Sequence, residues 1–124
     1  MDMTEDILTA FQLNQLMMKL SRDIDDAVEE YKLRAEDFAA AKTTSEFAAA
    51  TAWPMNEKRT VDEKRSLVTI ATSKELFAEL KAEALRNSAD RALKAAMAKL
   101  SACQSLAAAL REELRFNRVG GGDL

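Results

Sequence analysis

The sequence predicts an all-α protein, a long antiparallel helical hairpin with coiled-coil-like packing. Three observations predict it. The 124 residues include 23 Ala against 1 Pro and 3 Gly, and the three Gly are consecutive at 120–122. Apart from Pro54, residues 1–119 therefore lack a strong helix breaker, and they are rich in Ala, Leu, Lys, Glu, Arg and Met, the best helix formers. β-Branched residues are few and no hairpin dipeptide such as Asn-Gly occurs, which argues against a sheet. The length fits one helical domain over 1–119, with 120–124 as a flexible tail.

The first helix is expected from about Thr4 to about Ala41. Thr4 is a plausible N-cap, and Glu5 and Asp6 fall in the first turn, where the helix dipole favours carboxylates. Apolar positions then recur at Phe11, Leu13, Leu16, Met17, Leu20, Ile24, Ala27, Val28, Tyr31, Ala35 and Phe38. From Leu13 the steps are mostly four and three, the spacing of a helix seam. Asp23, Asp25, Asp26, Glu29 and Glu30 lie between seam positions and face water or a basic partner.

Residues 42–59 are expected to hold the reversal. "KTT" is a run of weak helix formers, and Ser45 could cap two further turns over "SEFAAATA". Pro54 stops any helix near Trp53, because the residue before proline avoids the α region. Trp53 and Met55 are then placed to cover the end of the helix pair.

The last helix is expected from Val61 to about Asn117. Thr60 and Glu63 have the spacing of a capping box just ahead of an apolar run. Its expected seam is Leu67, Ile70, Phe77, Leu80, Ala84, Ser88, Ala92, Ala96, Leu100, Cys103, Ala107, Leu110 and Leu114. Unbroken, it would be a rod of roughly 80 Å. A break near "RNSAD" (86–90), with Ser88 as a new cap, would give a three-helix bundle instead. Reversal near Pro54 would set Asp25–Glu30 near residues 78–86. The far end, roughly 100–116, would run past its partner. Leu106, Leu110, Leu114 and Phe116 there form the expected interface of a homo-oligomer, since exposed apolar stripes mark association.

Charge and missing chemistry narrow the function. Residues 1–40 hold 10 acidic and 4 basic side chains, whereas 67–124 hold 9 basic and 7 acidic. The overall net of −3 implies no strong bulk attraction to nucleic acid or acidic lipid. There is no His, the single Cys103 sits in a helical pattern as a small hydrophobe, and no Gly-rich phosphate loop precedes residue 120. The "DIDDAVEE" carboxylates (23–30) lack the turn glycine of a calcium loop. These absences favour a protein with no catalytic residues, no metal site and no cofactor. Without a signal pattern or a long apolar run, a cytoplasmic location is expected. Two basic features are candidates for nucleic-acid phosphates: Lys58, Arg59, Lys64 and Arg65 around the reversal, and Arg86, Arg91 and Lys94 along the last helix. Ordinary solvated surface is the plainer reading of both.

The stretches "YKLRA" (31–35), "TVDEKR" (60–65) and "QSLAAALREEL" (104–114) resemble a group of small helical proteins encoded by phages and prophages near recombination genes. "TTSEFAAATAWPMNE" looks like an insertion relative to that pattern. The layout is also similar to that of the recombination mediators of T-even phages. The resemblance implies an oligomeric accessory protein of recombination or replication that binds single-stranded DNA or a recombinase. It implies phosphate contacts by Lys58, Arg59, Lys64 and Arg65. The rivals are a scaffold, chaperone or other interaction module without DNA binding, and a host-enzyme inhibitor whose acidic first helix mimics DNA.

Overall fold

In the computed structural model, residues 3–55 and 58–120 are described, with side chains for 9–55 and 58–117. The chain is all-α: α1 (Met3–Ala52), α2 (Val61–Ala71) and α3 (Ser73–Gly120), with no strand among the described residues. The two long helices, α1 and α3, pack against each other as a helical hairpin. The chain divides into two compact units, residues 29–91 and residues 1–28 with 92–124.

α1 outruns its expected end by eleven residues. It already contains Thr4, so Thr4 is not its N-cap. Thr43 and Thr44 do not end it, because their hydroxyls donate to the carbonyls of Ala39 and Ala40 at 2.9 and 3.0 Å. That back-bonding lets threonine sit inside a helix. Ser45 is no cap; it is buried mid-helix. Pro54 acts as expected, and α1 stops at Ala52. The reversal therefore shrinks from 42–59 to the residues between Ala52 and Val61.

α2 begins where the capping-box spacing puts it. Thr60 takes an extended backbone (φ −66°, ψ 159°), and its Oγ1 accepts from the Glu63 N–H at 3.2 Å. Asp62 and Glu63 occupy the first turn, the favourable end of the dipole. The helical path is interrupted at Thr72, not at 86–90. Thr72 caps α2, with its N–H and its Oγ1 both donating to the Val68 carbonyl at 2.9 and 2.7 Å. Ser88 lies within α3, which runs on through Gly120; the rest of the expected tail, 121–124, is outside the described residues.

Within the 29–91 unit the helices run antiparallel. Ala49, Ala50 and Trp53 meet Arg65, Val68 and Thr69, and Ala41 and Thr44 meet Lys74, Glu75 and Ala78. Arg34 and Asp37 share a recess with Ala78, Lys81, Ala82 and Leu85. Arg34, Asp37 and Phe38 thus take the places opposite 78–86 that the expected register gave to Asp25–Glu30. The later reversal causes the shift. The Glu29 and Glu30 carboxylates instead pair locally, with Lys32 at 3.5 Å and Arg34 at 2.8 Å.

Within the other unit, Ala10, Phe11, Leu13, Asn14 and Met17 line a recess of about 400 Å³ with Ala107, Leu110 and Arg111. Residues 107–111 of α3, within the stretch expected to overhang, therefore have a partner in the same chain. Leu110 and Leu114 are half-buried, while Leu106 and Phe116 are exposed.

The α1 seam is largely as expected: Leu20 is buried, and Leu13, Met17, Ile24, Ala27, Val28, Tyr31, Ala35 and Phe38 are half-buried. Phe11 and Leu16 are exposed. On α3 the seam from Ala96 to Leu114 holds, with Cys103 and Ala107 buried. Before Ala96 the expected seam holds only at Leu67, half-buried on α2; Ile70 on α2 and Phe77, Leu80, Ala84, Ser88 and Ala92 on α3 are exposed. The expected line from Ala84 through Ser88, Ala92 and Ala96 to Leu100 rises by fours. Each step of four turns about 40° past a full circle, so the line winds off the face it ends on. The inner positions are instead Leu76, Ala82, Arg86, Ala89 and Leu93. No large side chain is fully buried among the described residues.

Candidate nucleic-acid interface

The reversal joins two helix ends with opposite requirements. Proline ends α1 and sets Trp53 just beyond it; the Thr60 cap starts α2 and places its first charged turn against that ring. Lys58 and Arg59, both exposed, stand immediately before the cap. The Lys64 ammonium lies 6.0 Å from the centroid of the half-buried Trp53 ring, at the outer edge of cation–π range. Met55, expected to cover the helix ends beside Trp53, is 79 % exposed.

Beside the indole is an open recess of about 460 Å³, lined by Ala49, Ala50, Trp53, Arg65, Val68 and Thr69. Its floor is aliphatic, one wall is aromatic and its rim carries the exposed Arg65 guanidinium. Small residues make the space: Ala49 and Ala50 precede Trp53 by about one turn, so no bulky side chain fills the angle between α1 and α2. The expected role of Arg65 pointed here, but the alanine floor was not anticipated. Its only signal in the sequence is two alanines one turn before a tryptophan. Arrangements of this kind suit a flat ring stacked on the indole with a phosphate held by the nearby cations. Asp62 and Glu63 lower the local positive potential, although both sit where the α2 dipole favours them.

The second basic group is not gathered at one place. Arg86 is half-buried, its guanidinium 4.3 Å from the Phe38 centroid and donating to Asn87 Oδ1 at 3.1 Å. It is committed to α1–α3 packing. Arg91 is exposed in the same unit, and Lys94 is exposed in the other. Among the described residues no group of three or more His, Cys, Asp or Glu is arranged to hold a metal ion. None of the helices, over the described residues, is long and apolar enough to cross a membrane. Set against protein-family models, curated proteins and solved structures, the chain matches none of them.

Proposed function

We propose that this chain is a non-enzymatic accessory protein of DNA recombination or replication, of the kind phages and prophages encode, acting as a homo-oligomer in the host cytoplasm. Its reversal binds single-stranded DNA: a base stacks on Trp53, and Lys58, Arg59, Lys64 and Arg65 contact the flanking phosphates. The observation that carries the reading is the open recess where Trp53 and the Arg65 side chain meet an aliphatic lining, with the Lys64 ammonium 6.0 Å from the centroid of the same ring. A single site of this size binds weakly. Repetition across an oligomer multiplies it, because linked sites raise the effective concentration for one another.

Trp53 is the only tryptophan, so its emission reports the site directly. Titration with a single-stranded oligonucleotide at low salt should quench it. The Lys58/Arg59/Lys64/Arg65→Ala variant should lose most of the binding, and the slope of log K against log salt should fall by up to about 3, at about 0.7 per phosphate contact. Absence of quenching and of any gel shift at low salt would remove the DNA reading. The second reading, a protein-interaction module, would then stand on the exposed Phe47, Ile70 and Phe77.

A further inference from the structure

α2 is thinly anchored. None of its eleven residues is buried, and only Lys64, Leu67 and Val68 are half-buried. Opposite it, Ala49 and Ala50 are too small to fill the angle between α1 and α2, and the open recess of about 460 Å³ remains there. Tight packing resumes at the residue that ends the helix: Thr72, and Ser45 of α1, are each 3 % exposed.

The helix is also closed on itself at both ends. Thr60 caps its start through the Glu63 N–H, and Thr72 caps its end through the Val68 carbonyl. Thr72 leaves helical dihedrals, which sets the hydrogen-bond ladder of α2 apart from that of α3. On the other side α1 has already ended, at Ala52. α2 thus has a boundary at each end and little burial between them, the marks of a segment that opens locally.

We infer that α2 is an arm that opens on its own, with the buried Thr72 as its fixed end, and that a strand bound in the recess holds it shut. Once off α1 the arm loses its own bonds, because isolated helices shorter than about 12–15 residues are marginal in water and α2 has 11. Each opening exposes its amides to exchange while α1 and α3 stay folded. Opening also takes the recess apart, since Ala49, Ala50 and Trp53 line it from one side and Arg65, Val68 and Thr69 from the other. A ligand that binds only the closed arm makes opening rarer by the factor 1 + [L]/Kd. The opening is independent of DNA; its control by a strand rests on the proposed function.

A pair of variants at Ser66, exposed and outside the recess lining, tests the opening. Alanine favours a helix over glycine by an amount worth about fivefold in an opening equilibrium. In hydrogen exchange, the amides at 68–71 should exchange about fivefold faster in Ser66→Gly than in Ser66→Ala. Amides of α1 and α3 should exchange alike in the two, and both variants should share one denaturant midpoint by circular dichroism. Equal exchange at 68–71 overturns the inference. So does a lower midpoint for Ser66→Gly with faster exchange throughout α1 and α3, because α2 then opens only with the rest of the chain. For the parent chain, a single-stranded oligonucleotide at a hundred times the Kd from the Trp53 titration should slow exchange at 68–71 about a hundredfold. Quenching of Trp53 without that slowing overturns the control by a strand and leaves DNA binding in place. No quenching overturns that control together with the DNA reading, while the Ser66 pair still decides whether α2 opens alone.

Discussion

Thr60 shows what a single residue decides in this fold. Its hydroxyl meets the Glu63 N–H, one of the amides a helix start leaves without a partner. The Thr60→Ala variant should lose about 1 kcal/mol of stability in denaturant unfolding. Loss of less than a few tenths would mean that tertiary packing, not the cap, fixes the start of α2. Ala89 is a contrasting residue, small and buried where α3 meets α1. Leucine in its place should cost about 1–3 kcal/mol through overpacking, read as a lower unfolding midpoint. Cap and proline signals were legible because they depend on a few neighbouring residues. Ser45 misled because a hydroxyl residue after weak helix formers looks the same whether it caps a helix or is buried inside one.

Among the elements, α1 and the start of α2 were legible and the phase of α3 was not. α1 has one dominant apolar stripe, so its seam needs no choice. The first part of α3 has two: one of small and mixed residues around Ala82, Ala89 and Leu93, and a bulkier one through Phe77 and Leu80. Hydropathy favours the bulky stripe. Close approach of the helices favours the small one, and the alanines Ala78 and Ala82 face α1 across the grooves. No rule about a single helix makes that choice, because it depends on the partner's shape. The Thr72 interruption was likewise invisible beside the more polar "RNSAD". Thr72 leaves helical dihedrals (φ −109°, ψ 19°), is buried, and bonds the Val68 carbonyl through its hydroxyl. Thr72→Ala removes the hydroxyl bond, and hydrogen exchange of the amides at 72–76 should slow as α2 and α3 merge. Unchanged exchange would place the cause of the break elsewhere.

For the whole molecule, the fold class follows from composition alone, while the candidate site was legible only in outline. The four cations at the reversal were readable; the recess that Arg65 shares with Ala49, Ala50 and Trp53 depends on α1 running unbroken to Ala52, whereas the sequence suggested a separate helix capped by Ser45 over that stretch. Of the oligomer surface expected at 106–116, Leu106 and Phe116 are exposed and Leu114 is half-buried. Leu110 is half-buried beside Leu13 and Met17. The case for association does not rest on that surface alone, since large apolar side chains lie exposed along both long helices. Burying one such side chain contributes about 1.5–3 kcal/mol relative to leaving it in water. Light scattering of the unmodified chain over a dilution series, with circular dichroism on the same samples, tests this most directly. A helical particle several times the 13.7 kDa chain mass, dissociating only at low concentration, is the predicted result. A fully helical species that stays at one chain mass from nanomolar to high micromolar concentration would contradict it.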